Sequence, residues 1–429
     1  MKKVSVVIGA NYGDEGKGRT VSALVRDAEH TANKTIVVRF NGGPQAGHTV
    51  MPPEPITTIL PNRWVYHHLG SGTDAGVPTF LSEDFLVNPM MFRREAQPLR
   101  EAGKLPTVFV DPNARVTTPY DIMLNQALER KRGGAKHGSC GLGIHETVRR
   151  SETHALTYEE LFLEQSLDKF LAWVRKEWVP RRAQDLDIQI DPKLLNNENI
   201  IANYKTDTEF MLANTVALSW GRLRQFSHVI FEGAQGLLLD AHDPDHFPHV
   251  TPSRTGLSNV IRMLSSLQTK PEVLDVYYVT RSYLTRHGAG PMPHEYGQPA
   301  GSNVLDPTNI GNEFQGSLRF SDLDLPLMTK ALQREMQELG HLPLRHCGVT
   351  LGLTKVRVNL VITCVDQLAG NMIQFVDDQG KRDMLKVGEF ASLLLKQIPH
   401  FNKRALITTS PRALPLEEVS IIHSSPAET

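Results

Sequence analysis

A short β-branched run, Val4–Ile8, breaks into the loop "GANYGDEGKGRT" and then into a stretch of helical spacing from Thr20 to Glu29. No other feature restricts the fold so strongly. A run this short and apolar reads as a strand buried on both faces, which is the habit of parallel sheets. The pattern returns along the chain. Ile36–Phe40, Thr107–Val110, Val229–Phe231, Val276–Val279 and Val358–Cys364 are apolar runs followed by polar or glycine-rich residues. Strands alternating with helices predict an α/β fold, with a large, mostly parallel central sheet and helices on both faces. Ligands of such sheets bind beyond the carboxyl ends of the strands, so the loops after these runs should converge on one site.

The length of 429 residues suits one large α/β unit over 1–429 that carries an insertion. Residues 151–228 are charged, rich in Leu and Trp, and read as a helical insertion within it. Residues 299–325 hold many Gly, Asn, Ser and Asp and read as a long functional loop. A net charge of −1 provides no basic field for a nucleic-acid partner. Cys140, Cys347 and Cys364 are far apart and show no CxxC spacing, which fits a reducing compartment. The first ten residues lack the core and cleavage site of a signal peptide. No run approaches the ~20 apolar residues of a membrane span. The expectation is a cytoplasmic protein with neither nucleic acid nor membrane as partner.

The first loop has the chemistry of a phosphate site without either common spacing. A Walker loop needs G-x-x-x-x-G-K-[ST], but Asn11 stands five residues before Gly16 and Gly18 follows Lys17. No G-x-G-x-x-G occurs here either. A GTPase-like switch and a dinucleotide-dependent oxidoreductase therefore both lack their signatures. Gly13, Gly16 and Gly18 still allow amides to approach an anion beside a helix N-terminus, and Lys17 offers a charge. Carboxylates in such a loop need a cation between them and the phosphate, or a role in proton transfer.

Here the chain resembles the adenylosuccinate synthetases. "GANYGDEGKGR" is similar to their opening G-x-Q-W-G-D-E-G-K-G-K, and "GGPQAGHT" to their G-G-x-N-A-G-H-T. "FEGAQGLLLD" with "VTPSRT", then "LTRHGAGPMPHE" (the family has S-T-R-V-G-A-G-P-F-P-T-E), and then "GNEF" follow in the family's order. The matches run from residue 4 to about 326 and are weak beyond. The resemblance implies a P-loop-NTPase-like sheet and a ligase that joins L-aspartate to C6 of a 6-oxopurine monophosphate. IMP is the family's acceptor, and GTP with Mg²⁺ its energy source, through a 6-phosphoryl intermediate. It makes Asp14 the base that removes the N1 proton and His48 the acid. Gln235 then lies near O6, and the Asp14 carboxylate with the Gly47 carbonyl holds Mg²⁺. Gly13, Glu15, Gly16, Lys17 and Gly18 surround the triphosphate. Thr251 contacts the nucleotide phosphate. Arg150, with Arg149 an equally placed candidate, reaches that phosphate across a homodimer interface.

Departures fall on the nucleotide pockets. "GSCG" places Ser139 and Cys140 where a threonine would meet the phosphate, and Gln45 replaces an asparagine. The arginine-rich loop is shortened to "QGSLRFSDLD", which leaves Arg319 for the aspartate carboxylate with Ser317 beside it. Asp366 in "TCVD" would accept from guanine, but Cys364 replaces the flanking lysine; Ser410 in "TTSPRA" lies where the family has a glycine-bearing motif at the base. The shortened loop and "GSCG" are similar to the branch that joins aspartate to dGMP with ATP or GTP, which is the alternative reading. A nucleotide-binding protein without ligase activity comes third. The run "DAHDPDHFPHV" sets His242, His246 and His249 among Asp240, Asp243 and Asp245. It looks like a zinc site by residue type, but its spacing matches no metal signature.

Overall fold

The computed structural model describes residues 1–27, 34–51, 63–267, 271–297, 313–341, 345–346, 349–350, 356–397, 402–407 and 417–419. Ten strands among them form the main sheet: β1 (Lys3–Gly9), β2 (Thr35–Arg39), β3 (Thr79–Leu81), β4 (Val108–Val110), β5 (Val216–Ala217), β6 (His228–Gly236), β7 (Val273–Arg281), β8 (Val356–Thr363), β9 (Asn402–Ile407) and β10 (Glu417–Val419). Their order is β10-β9-β8-β7-β1-β6-β2-β3-β4-β5. Every neighbouring pair is parallel except β9 with β10.

β1 lies between β6 and β7, and its register pairs Val6 with both Phe231 and Val276. Val4, Val6 and Ile8 pack into one apolar layer with the helices Ser258–Ser266 and Leu325–His341. Val7 points to the other layer, against Val21, Leu24 and Val25 of α1 (Lys17–Asp27). Both faces are thus covered, which is why the run shows no polar alternation. Because β1, β2, β6, β7 and β8 run the same way, their carboxyl ends share one edge. At that edge β6 is longer than its partner: Val7 pairs with Glu232, yet Gly9 pairs with Gly236. The resulting bulge holds Gln235 at φ +60.

A second core forms beyond the sheet. α2 (Pro89–Glu101) starts on Asn88, whose side chain accepts from Met91 N. α3 (Pro119–Arg132) starts on a reciprocal cap between Thr118 and Asp121. Phe92, Leu99, Tyr120 and Leu124 from these helices pack with Phe170, Trp178, Tyr204 and Met211 of the inserted segment. That segment is mostly helical: α4 (Ile144–Ser151) leads into it, helix runs unbroken from Ser166 to Asp185, and α5 (Glu198–Ala213) follows. Its helical description needs one correction, because β5 returns from it to the sheet edge beside β4. Two exposed residues are too few to show a strand period. The described part of 299–325 also differs from a loop: Arg319–Ser321 pairs antiparallel with both Leu284–Arg286 and Glu295–Tyr296. Residues 298–312 lie outside the described set.

Arg150 corrects the expectation that it reaches a neighbouring subunit. Its side chain is fully buried, donating to both carboxylate oxygens of Asp121 at 2.9 and 3.0 Å and to the Val116 carbonyl. It also lies over the Phe170 ring at 4.9 Å. Arg150→Leu would leave the buried Asp121 carboxylate without its cation. We expect stability to fall by about 3–5 kcal/mol, measured as the urea midpoint; a surface arginine would leave that midpoint unchanged.

His228 gives a pH signature. It is buried, with Nε2 3.0 Å from Ser5 Oγ across the β1–β6 pair. Burial first, then the charge of Lys3, push its imidazole down to about 4. The folded protein therefore binds this proton less readily than the unfolded chain. Stability from neutral His228 is complete above pH ~6.5 and is lost as pH falls towards 4, by about 3 kcal/mol in total. The urea midpoint of His228→Asn should fall less steeply than that of the wild type between those pH values.

Candidate active site

The loop between β1 and α1 is built around Glu15. Its carboxylate is buried and accepts from Asn11 N at 3.0 Å and Gly13 N at 2.8 Å. Lys17 Nζ lies 3.3 Å from its other oxygen and donates to the Gly13 carbonyl. Burial pushes the Glu15 carboxyl up, against the pull of Lys17 and the loop amides. The Glu15 carboxylate is thus turned into the loop and holds the turn's shape. Gly13 has φ +112, and a Cβ there would lie 2.8 Å from Gln235 Cα, so only glycine lets the loop sit against the β6 bulge. A Cβ on Gly18 would lie 2.8 Å from His48 Cβ, so α1 can touch the histidine only without a side chain there.

Asp14 is aimed the opposite way. Arg281 holds its backbone carbonyl, and its carboxylate lines a cleft of about 540 Å³ with Gly13, Gln45, Gly47, His48, Cys140 and Gln235. His287 Nε2 stands 3.5 Å from Asp14 Oδ2. His48 begins a short strand, His48–Val50, paired with Trp64–Tyr66. Its Nδ1 lies 2.5 Å from Glu232 Oε1. Glu232 also accepts from Ser71 N at 2.9 Å and from the Ser71 hydroxyl. Burial and the nearby Arg39 push the His48 imidazole down to about 4, with Glu232 opposing. Against the burial that would raise it, the partners His48, Arg39 and Ser71 hold the Glu232 carboxyl below its usual range. Glu232 thus fixes the ring with Nδ1–H donating to it. His48 Nε2 is buried without a hydrogen-bond partner among the described residues.

The second loop is tied to β6. Asn41 exchanges two bonds with the Ala234 backbone at 2.8 and 3.0 Å. Gln45 Nε2 donates to Gln235 Oε1 at 3.3 Å, and His67 Nδ1 lies 2.7 Å from the Pro44 carbonyl. Other expected site residues stand outside the cleft lining. Ser139 Oγ accepts from Asn125 at 2.9 Å, and the Thr251 amide donates to the Leu239 carbonyl. Arg319 pairs through two nitrogens with Glu295 and donates to the Gly288 and Gly290 carbonyls. Ser317 and Asp366 are exposed, and Ser410 lies outside the described residues. Burial pushes the Cys140 thiol up to about 11, so it faces the cleft as a neutral group. In the histidine-rich run, His246 spends its nitrogens on Asp243 and the Tyr12 hydroxyl, each at 3.1 Å.

Several residues here were not singled out from the sequence. Glu232 lies inside the quoted "FEGAQG", where its apolar neighbours hide it. His287 replaces the valine of the family segment, a departure legible in "LTRHGAG". Arg281, Arg63, His67 and Arg94 carry no motif at all.

A family model described as "Adenylosuccinate synthetase" matches residues 6–380, well past the point where the motif resemblance fades. The adenylosuccinate synthetase of Synechocystis sp. (strain ATCC 27184 / PCC 6803 / Kazusa) is 31% identical over 313 residues, covering 70% of this chain. The chain spans 65% of that relative's length, just under two thirds. The fully ligated adenylosuccinate synthetase from Plasmodium falciparum superposes with a TM-score of 0.65 at 17% identity, covering 97% of this chain and all of that one. The succinoaminodeoxyadenylate synthetase of cyanophage S-2L, bound to dGMP and dATP, gives 0.57 at 13% identity, covering 97% and 95%. At such identities these two structures speak for the fold. The extent of the family match settles the lineage: the chain belongs to the adenylosuccinate synthetase family, whose members are carbon–nitrogen ligases.

Proposed function

We propose that the protein joins L-aspartate to C6 of a purine monophosphate, with IMP as acceptor and GTP as phosphoryl donor, giving adenylosuccinate. The observation that carries this reading is the pairing of Asp14 with His48 in one cleft, the histidine locked by Glu232 and its Nε2 left without a partner among the described residues. An amide-like oxygen on the purine does not depart unaided. Asp14 takes the N1 proton, O6 attacks the γ-phosphorus and the nucleoside diphosphate leaves. The aspartate amine then attacks C6 and inorganic phosphate departs. His48 Nε2 stands for the transferring oxygens, and Glu232 favours the imidazolium once their negative charge arrives. Gln235 reaches O6.

Asp14 and Gly47 both line the cleft and, as residues, bring to it a carboxylate and a backbone carbonyl. They are hard oxygen donors of the kind that Mg²⁺ takes, and the ion, when bound, would neutralise phosphate charge. Lys17 steadies the loop that carries Asp14. Arg319 can accept the aspartate carboxylate only if that group displaces Glu295. A homodimer and a cytoplasmic setting belong to the same reading. Within a dimer, Arg149 is the arginine left at the surface, paired with Glu152.

Asp14→Asn tests the chemistry. Turnover should fall at least about 10²-fold while the urea midpoint holds, measured as aspartate-dependent phosphate release with IMP, GMP and dGMP in turn. Release that needs dGMP rather than IMP would move the acceptor; release at the wild-type rate would remove Asp14 from the mechanism. The donor site gives a second test. Asp366 is exposed at the end of β8, so water can satisfy it whichever base arrives. We expect kcat/KM for GTP and ATP to agree within about tenfold, or about 1.4 kcal/mol. A preference of about a thousandfold or more would require a closed guanine pocket.

A further inference from the structure

We propose that Arg94 is the cation that receives the 5′-phosphate of the acceptor nucleotide. The assignment rests on the ligase reading above. A phosphate monoester brings up to two negative charges, and neutral donors alone compensate them poorly. Within one chain, the other groups that the family resemblance would supply bring no cation to this cleft. Arg150 is sealed against Asp121. Arg149 pairs with Glu152 and does not line the cleft. Cys140 presents a neutral thiol, and Ser139 and Thr251 stand outside the lining.

The cleft nevertheless carries a positive bias. Asp14 is the one carboxylate among its described lining residues, whereas Arg63 and Arg94 both line it. Arg94 is an exposed residue of α2, and it forms no ion pair with any described residue. Its neighbours are fixed on both sides. Arg93 donates to Asp207 at 3.0 Å and to Gln97 at 3.2 Å. Glu95 is buried and accepts from the backbone amides of His67, His68 and Leu69 at 2.9, 2.8 and 3.1 Å. The helix backbone at Arg94 is therefore held in place while its guanidinium is left for a ligand. Met91, three residues earlier on the same helix face, lines the cleft as well, together with Gln45 and Cys140. A planar guanidinium on a fixed helix suits a phosphate group, which it can bind through two nitrogens.

Kinetics with IMP, GTP, Mg²⁺ and aspartate test the assignment. Arg94→Gln should raise KM for IMP by about tenfold or more, leaving KM for GTP and for aspartate within about twofold. The loss should appear in KM rather than in kcat, and Arg94→Lys should recover part of it. Calorimetry of IMP against inosine gives a second readout: the wild type should prefer IMP, and Arg94→Gln should lose most of that preference. An active Arg94→Gln enzyme with unchanged KM for IMP overturns Arg94 alone and leaves the ligase reading intact. A wild type without aspartate-dependent phosphate release from any purine monophosphate overturns the ligase reading. In that event, a preference for IMP over inosine that survives Arg94→Gln, or no binding of IMP at all, overturns the phosphate assignment as well.

Discussion

The site depends on a buried carboxylate. Glu15 draws the amides of Asn11 and Gly13 and the ammonium of Lys17 inward, and that inward pull fixes the curve of the loop. Asp14, one residue earlier, is left outside the curve with its carbonyl tied to Arg281. Two adjacent acids thus take opposite tasks. One costs desolvation and repays it by closing the ring of loop hydrogen bonds. The other faces the cleft.

The same device recurs around the site. Glu232 gathers Ser71 and His48, Glu95 gathers three consecutive amides of the 67–69 turn, and Asp121 gathers Arg150 and the start of α3. Each buried acid joins segments distant in sequence, and each is satisfied by donors whose positions it then fixes. Removing one donor would strand a charge, so these joints act as units rather than as sums of bonds. The cleft inherits its shape from them.

Much of this architecture was legible in the chain. The central strands announce themselves because burial on both faces forces unbroken β-branched runs, as at Val4–Ile8 and Ile36–Phe40. The convergence of Asp14, Gln45, His48 and Gln235 follows from parallel strands ending at one edge. What sequence reasoning missed was decided by partners far away in the chain. Nothing local distinguishes Arg150, enclosed by Asp121 and Phe170, from the exposed Arg149 beside it; the helical turn alone sends one in and one out. Nor does anything local show how Glu15 is held, because its partners are backbone amides, which carry no signature. β5 is exposed and only two residues long, so it has no apolar pattern to read.

The bulge at the end of β6 has a consequence for how such an edge can be changed. Between the pairs Val7–Glu232 and Gly9–Gly236, β6 places three residues where β1 places one. The surplus is absorbed locally, with Gln235 at a left-handed φ, and the sheet's register before Glu232 is untouched. The barrel of the strand and the reach of its tip are therefore separately adjustable lengths. Insertions or deletions confined to this slack would re-aim the carboxamide over the ligand space without sliding any core valine past its neighbour, so the specificity edge can drift while the sheet that supports it stays in step.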